Sequence, residues 1–131
     1  MDELAPRLQD HPLGLMVGGA EPWVRCPVQI GEDGRMTFYC QILAGMKLQL
    51  LQKQDVVSQT REDLARAVAS IQSCSAVINF HCIQRTLQLK AEGRMAEYGA
   101  LFKDFPTIGF STYGESYIGH MNHTSTIVLL G

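Results

Sequence analysis

Apolar and polar residues alternate through much of the first fifty positions, and a helical period replaces that alternation from Asp55. Residues 1–12 are polar and carry Pro6 and Pro12, which predicts a lead-in arm rather than a core element. Leu13 to Val17 is a short apolar run closed by Gly18-Gly19, a first strand. From Trp23 to Ile30, Val24, Cys26, Val28 and Ile30 fall on one side, with Arg25, Pro27 and Gln29 on the other. Proline cannot donate to a ladder, so Pro27 predicts an edge or a bulge. Gly31-Glu32-Asp33-Gly34 is a hairpin turn, after which Met36, Phe38, Cys40 and Ile42 alternate with Thr37, Tyr39 and Gln41. Beyond Ala44-Gly45, Met46, Leu48 and Leu50 alternate with Lys47 and Gln49, and the expected result is a meander.

Val57, Leu64, Val68 and Ile71 then recur at helical spacing, predicting an amphipathic helix over 56–72, capped by Asp55 or Ser58 and packed on the meander's apolar face. A strand over Ala76 to Cys82, a loop over Ile83 to Thr86 and a second helix over Leu89 to Phe102 follow, with Gly93 and Gly99 weakening that helix. Pro106 closes the segment. Ile108 to Glu115 then reads as a buried strand ending in a tight bend at Gly114 that delivers Glu115 beside the small polar residues Ser111 and Thr112. The chain turns through Gly119 and finishes with a strand over Thr124 to Leu130. The fold class expected is α+β: a mainly antiparallel or mixed sheet, an N-terminal β-meander followed by β-α-β-α-β-β, with helices packed on the sheet. The strand, helix and strand between Ala76 and Tyr113 suit a parallel crossover.

A chain of 131 residues suits one domain spanning 1–131. A net charge of -2 with scattered Lys and Arg gives no electrostatic footprint for nucleic acid. No apolar run is long enough for a membrane span, and the first residues lack a secretory signal, so a cytoplasmic location is expected. Cys26, Cys40, Cys74 and Cys82 form no closely spaced pair, which argues against a disulfide framework and for a reducing compartment. Neither a GxGxxG nor a GxxxxGK[ST] pattern occurs, and no cofactor is expected. His81 and Cys82 are neighbours on a strand and point to opposite faces, and His120 with His123 adds only one further pair, so no metal site is expected.

Phe80-His81-Cys82-Ile83-Gln84-Arg85 is a strand end of the form F-x-C-x-x-R, and Gly109-Phe110-Ser111-Thr112-Tyr113-Gly114-Glu115 is a second strand end. Together with His120, Asn122, Thr124 and the closing apolar strand, they resemble the C-terminal domain of the FIST family, the F-box and intracellular signal transduction proteins. The resemblance covers most of the chain. It implies a sensory or interaction domain of signalling proteins, small ligands such as amino acids, and a preceding N-terminal FIST domain or an output domain as partner. It also implies that an apolar patch is left uncovered on this segment alone, and homo-oligomerisation is compatible with it.

The residues suggest how such a ligand would be held. Arg85 is placed to grip a carboxylate, Glu115 to pair with an ammonium, and Ser111, Thr112 and Asn122 to supply neutral hydrogen bonds, with Cys82 in the pocket wall. The same convergence also permits a plain Arg85–Glu115 salt bridge that fastens two strand ends, or a docking scaffold with no small ligand. An enzyme built on Cys82 with His81, His120 or His123 is the less favoured class, because a strand cysteine among apolar residues is usually inert packing.

Overall fold

The computed structural model describes residues 7–8, 10–18, 22–117 and 119–131. The chain divides into two compact units, Met1–Lys53 with Ser116–His123, and Gln54–Glu115 with Thr124–Gly131. Most of the lead-in arm, and Gly19 of the first turn, lie outside the described residues.

In the first unit, β1 (Leu13–Leu15) is the middle strand of an antiparallel sheet, flanked by β2 (Trp23–Arg25) and β5 (Leu48–Leu50). The hairpin forms as expected from β3 (Pro27–Ile30) and β4 (Met36–Phe38), with a register shift between Pro27 and Gln29. Gly34, at φ 79, supplies the left-handed residue of its turn. The third strand does not extend this hairpin into a meander. β5 pairs with β1 instead, Leu13 opposite Leu50 and Leu15 opposite Leu48. The break after Phe38 and the left-handed turn at Gly45, φ 85, release the chain from the hairpin edge, and Leu51 packs over the bare Cα of Gly14.

The expected facing of the Trp23 to Ile30 stretch fails at two positions. Arg25 is buried while Val28 is half exposed. The Arg25 guanidinium lies 5.9 Å from the centroid of the Trp23 ring and donates through Nη1 to the carbonyl of His120. A ring face and a carbonyl together make a cation tolerable in a buried position. The remaining strands, β8 (Glu115–Tyr117) and β9 (Gly119–Met121), form a two-stranded ribbon.

The second unit holds a mixed sheet in the order β10 (Ser125–Leu130), β6 (Ala76–Cys82), β7 (Thr107–Thr112). β10 runs antiparallel to β6, and β7 runs parallel to it. Helix α1 (Val56–Ala69) is capped by the Asp55 side chain, which accepts from Ser58 N at 2.7 Å. Its stripe of Val56, Val57 and Leu64 packs with Val77, Leu89, Tyr98 and Phe102, so α1 builds the core of this unit. Asp55 also accepts from Arg94, which in turn holds Glu97 at 2.7 Å, and this pairing keeps both carboxyl groups below their ordinary range.

Two boundaries differ from expectation. No loop follows β6, because helix α2 (Ile83–Ala91) starts at once, and the second helix is broken by Gly93 at φ 68 into α2 and α3 (Met95–Ala100). The larger correction concerns β7. It is an exposed edge strand rather than a buried one, with Ile108 73% and Phe110 65% accessible. Val77, Asn79 and His81 face the helices, whereas Ile78 and Phe80 share the other face with Ile108 and Phe110.

Gly109 fixes the β6–β7 contact, since a Cβ there would lie 1.9 Å from the Asn79 carbonyl oxygen. Backbone atoms cannot swing away as a side chain would. Gly109→Ala is expected to cost about 2–3 kcal/mol of stability, read as a lowered urea midpoint, while Gly99→Ala, where a Cβ meets open space, should be neutral or stabilising.

Candidate functional site

The parallel pairing of β6 and β7 places Cys82 opposite Thr112, the last residue of each strand. Chain segments leaving neighbouring parallel strands at the same end make a natural crevice for ligands. Cys82 is fully buried, and its backbone N–H donates to the Thr124 carbonyl at 3.0 Å. Cys82 is also the residue before α2 and offers no side-chain cap to that helix's first amides.

Arg85 stands in the first turn of α2, and its Nη2 donates to Thr60 Oγ1 at 2.7 Å. Thr60 Oγ1 in turn donates to the Val56 carbonyl, also at 2.7 Å. Arg85 Nε is buried and has no partner. From β7, Ser111 Oγ meets Thr86 Oγ1 at 2.7 Å, and Thr112 Oγ1 donates to Glu115 Oε1 at 2.8 Å. Gly114, at φ 132, makes the bend that returns Glu115 to Thr112. Glu115 Oε2 is buried without a partner, as is Thr124 Oγ1 at the start of β10.

Arg85, Glu115, Cys82, Ser111 and Thr112 therefore lie on strand and helix segments that meet at one end of one sheet. No ion pair joins Arg85 to Glu115, so the fastening salt bridge allowed by the sequence is not formed. Asn122 belongs to the first unit, where it is buried, its Oδ1 accepting from Cys26 N at 3.3 Å and its Nδ2 lying 3.1 Å from His120 Nε2. Thr60 and Thr86 escaped the sequence reading. A threonine within the stripe Val56, Val57, Thr60, Leu64 was the available signal, because a buried hydroxyl needs a partner.

Beneath this end runs a buried polar chain. Ser125 Oγ donates to Asn79 Oδ1 at 2.7 Å, Asn79 Nδ2 donates to Tyr98 Oη at 3.1 Å, and Tyr98 Oη lies 3.2 Å from His81 Nδ1. The phenol hydrogen is then free for His81 Nδ1, which accepts it and leaves the ring neutral. Burial, and secondarily the charge of Arg85, push the His81 pKa down to about 4. Elsewhere in the unit, Arg61, Leu64, Ala65, Val68, Leu101 and Phe105 line a groove of about 200 Å³. Apart from Arg61 its wall is apolar, and none of the strand-end residues lines it.

The class these features define is an α+β domain in which three buried unpaired atoms, Arg85 Nε, Glu115 Oε2 and Thr124 Oγ1, belong to segments at one end of a mixed sheet, while a fourth, Arg25 Nε, lies in the first unit. The family model described as the FIST C domain matches residues 1–117, and the chain belongs to that family. Membership makes it a domain associated with signal transduction. Asn122, Thr124 and strand β10 lie beyond the matched residues. No curated protein and no solved structure matches the chain. Among the described residues, no helix is long and apolar enough to cross a membrane.

His81 makes stability depend on pH. Its folded pKa, about 4, lies below the ordinary 6.5, so the unfolded chain takes up the proton first. Its contribution is full above about pH 6.5 and is lost as the pH falls toward 4, by roughly 3 kcal/mol in all. His81→Gln should flatten that part of a stability-against-pH curve measured by urea denaturation.

Proposed function

We propose that the second unit is a ligand-sensing module of a cytoplasmic signal-transduction protein, and that it binds a small amino-acid-like zwitterion at the β6–β7 strand end. The observation that carries this reading is the pair of orphaned atoms, Arg85 Nε and Glu115 Oε2, opposite in charge, buried, and unpaired with each other. A buried charged group without a full set of partners is costly, and a ligand carrying both charges would relieve both ends. The Arg85 guanidinium and the uncapped first turn of α2 would take the carboxylate. Glu115 would take the ammonium, held in place by Thr112, while Thr124 Oγ1 and Ser111 offer hydroxyls and Cys82 forms the floor. Full burial of the Cys82 thiol supports a binding rather than a catalytic role for that residue.

A docking scaffold without a small ligand is the second reading, favoured by the exposed Ile108, Phe110 and Tyr113. The readings part on simple binding data. Calorimetry of the chain against single amino acids and small carboxylates should give saturable heat for at least one zwitterion. Arg85→Ala and Glu115→Gln, each folded by circular dichroism, should weaken it at least about tenfold, whereas Phe110→Lys leaves it unchanged. Silence across the panel would favour the scaffold.

A further inference from the structure

The mixed sheet of the second unit is covered on one side only. Val77 of β6, with Ile127 and Leu129 of β10, packs against the helices. Alternation sends their neighbours to the opposite face, where the register sets Val128 beside Ile78, Ile78 beside Ile108, and Phe80 beside Phe110. Phe80 and Phe110 meet edge to face, with ring centroids 5.4 Å apart. Ile108, Phe110, Val128 and Leu130 are exposed, and Ile78 and Phe80 between them are half-buried.

A sheet face meant for water normally carries polar residues, whereas strands apolar on both sides belong to sheets covered on both sides, as those with parallel pairs usually are. β10 is such a strand: Ile127 and Leu129 serve one face, Val128 and Leu130 the other. Leu64 of α1, Leu89 of α2 and Tyr98 of α3 all pack into the core on the first face. The second face stays open with the whole chain present, so its cover comes from outside these 131 residues.

Charge, shape and area select a second copy as that cover. No charged side chain occurs in Ala76 to Phe80, Thr107 to Thr112 or Ser125 to Leu130, so the face is complementary to itself and meets its copy without like-charge repulsion. The net charge of -2 opposes association only weakly. Twisted sheets pack face to face about 10 Å apart, and two copies bring the same twist. Taking about 200 Å² for a bare aromatic side chain and somewhat less for an aliphatic one, the face exposes on the order of 500 Å². Two copies would then bury about 1,000 Å², the lower bound for a specific interface.

We infer that this face is the interface of a symmetric homodimer, in which the two mixed sheets pack face to face with the helices outermost. With a two-fold axis at the centre of the three-stranded face, the middle strand β6 lies over its counterpart, and Ile78 and Phe80 of both copies form the middle of the new core. An interface at the lower size limit gives micromolar affinity. The inference does not rest on the ligand reading, because it uses neither Arg85 nor Glu115.

Sedimentation equilibrium of the intact chain, from about 1 to about 200 μM, tests it. The mass should rise from one chain to two and stop there. Phe110→Lys and Val128→Lys lie on the two edge strands of the same face; each, folded by circular dichroism, should weaken the dimer at least about tenfold, because the lysine would be buried unpaired. Leu87→Lys, at an exposed leucine on α2, should leave the dimer unchanged. A single-chain mass across the whole range, growth beyond two chains, a dimer indifferent to both sheet variants, or one that Leu87→Lys weakens as much as they do would overturn the assignment.

Discussion

The contact of Gly109 with the backbone of Asn79 is the constraint on which the second unit depends. Parallel strands lack the short turn that sets register in a hairpin, so their alignment rests on contacts between distant residues. At Gly109 the approach leaves no room for even a methyl group, and the strands lock with Phe80 level with Phe110 and Cys82 level with Thr112. From that level, Arg85 and Glu115 each follow by one short step of chain. A slip of one residue would turn Ser111 away from Thr86 and bring Phe110 to the helix side. The geometry of the candidate site is thus a consequence of one missing side chain in the strand that supplies half of it.

Local features were legible in the sequence where one short window carries the whole cause. Gly31 to Gly34 made a hairpin turn because a glycine there accepts positive φ, and Pro27 forced the irregularity beside it. β6 was legible to the residue, and Asp55 capped α1 as its position suggested. What could not be read is what a distant segment decides. β5 left the hairpin because β1 offered it an edge, and Arg25 went inside because Trp23 and the His120 carbonyl received it. β7 shows the limit most sharply. Its apolar residues told that a strand forms there, but a pattern cannot tell whether a second layer covers it, and Ile108 and Phe110 stand open. For the candidate site, the placing of Arg85 and Glu115 just past two strand ends, and of Ser111 and Thr112 at the end of β7, was legible. Their partners Thr60 and Thr86 were not, since each comes from a helix whose docking only the fold reveals, and Asn122 lies in the other unit.

Within the second unit, two sets of polar groups behave in opposite ways. Ser125, Asn79, Tyr98 and His81 lie deep and form one continuous chain in which every link has a partner. Such a chain adds little net stability, but it penalises any alternative packing that would break it, because each orphaned member would carry the full cost of desolvation. Arg85 Nε, Glu115 Oε2 and Thr124 Oγ1, on segments at the end of the sheet, are buried without partners and carry that cost. At about 1–3 kcal/mol for each unsatisfied atom, the penalty is a sizeable fraction of the stability of a small domain. The same fold that completes four groups in its interior leaves these three incomplete, and a fourth, Arg25 Nε, in the first unit. On the proposed reading, an occupant that completes them would return that free energy as affinity, and the hydrogen bonds from Arg85 to Thr60 and from Thr60 to the Val56 carbonyl would link it to the first turn of α1.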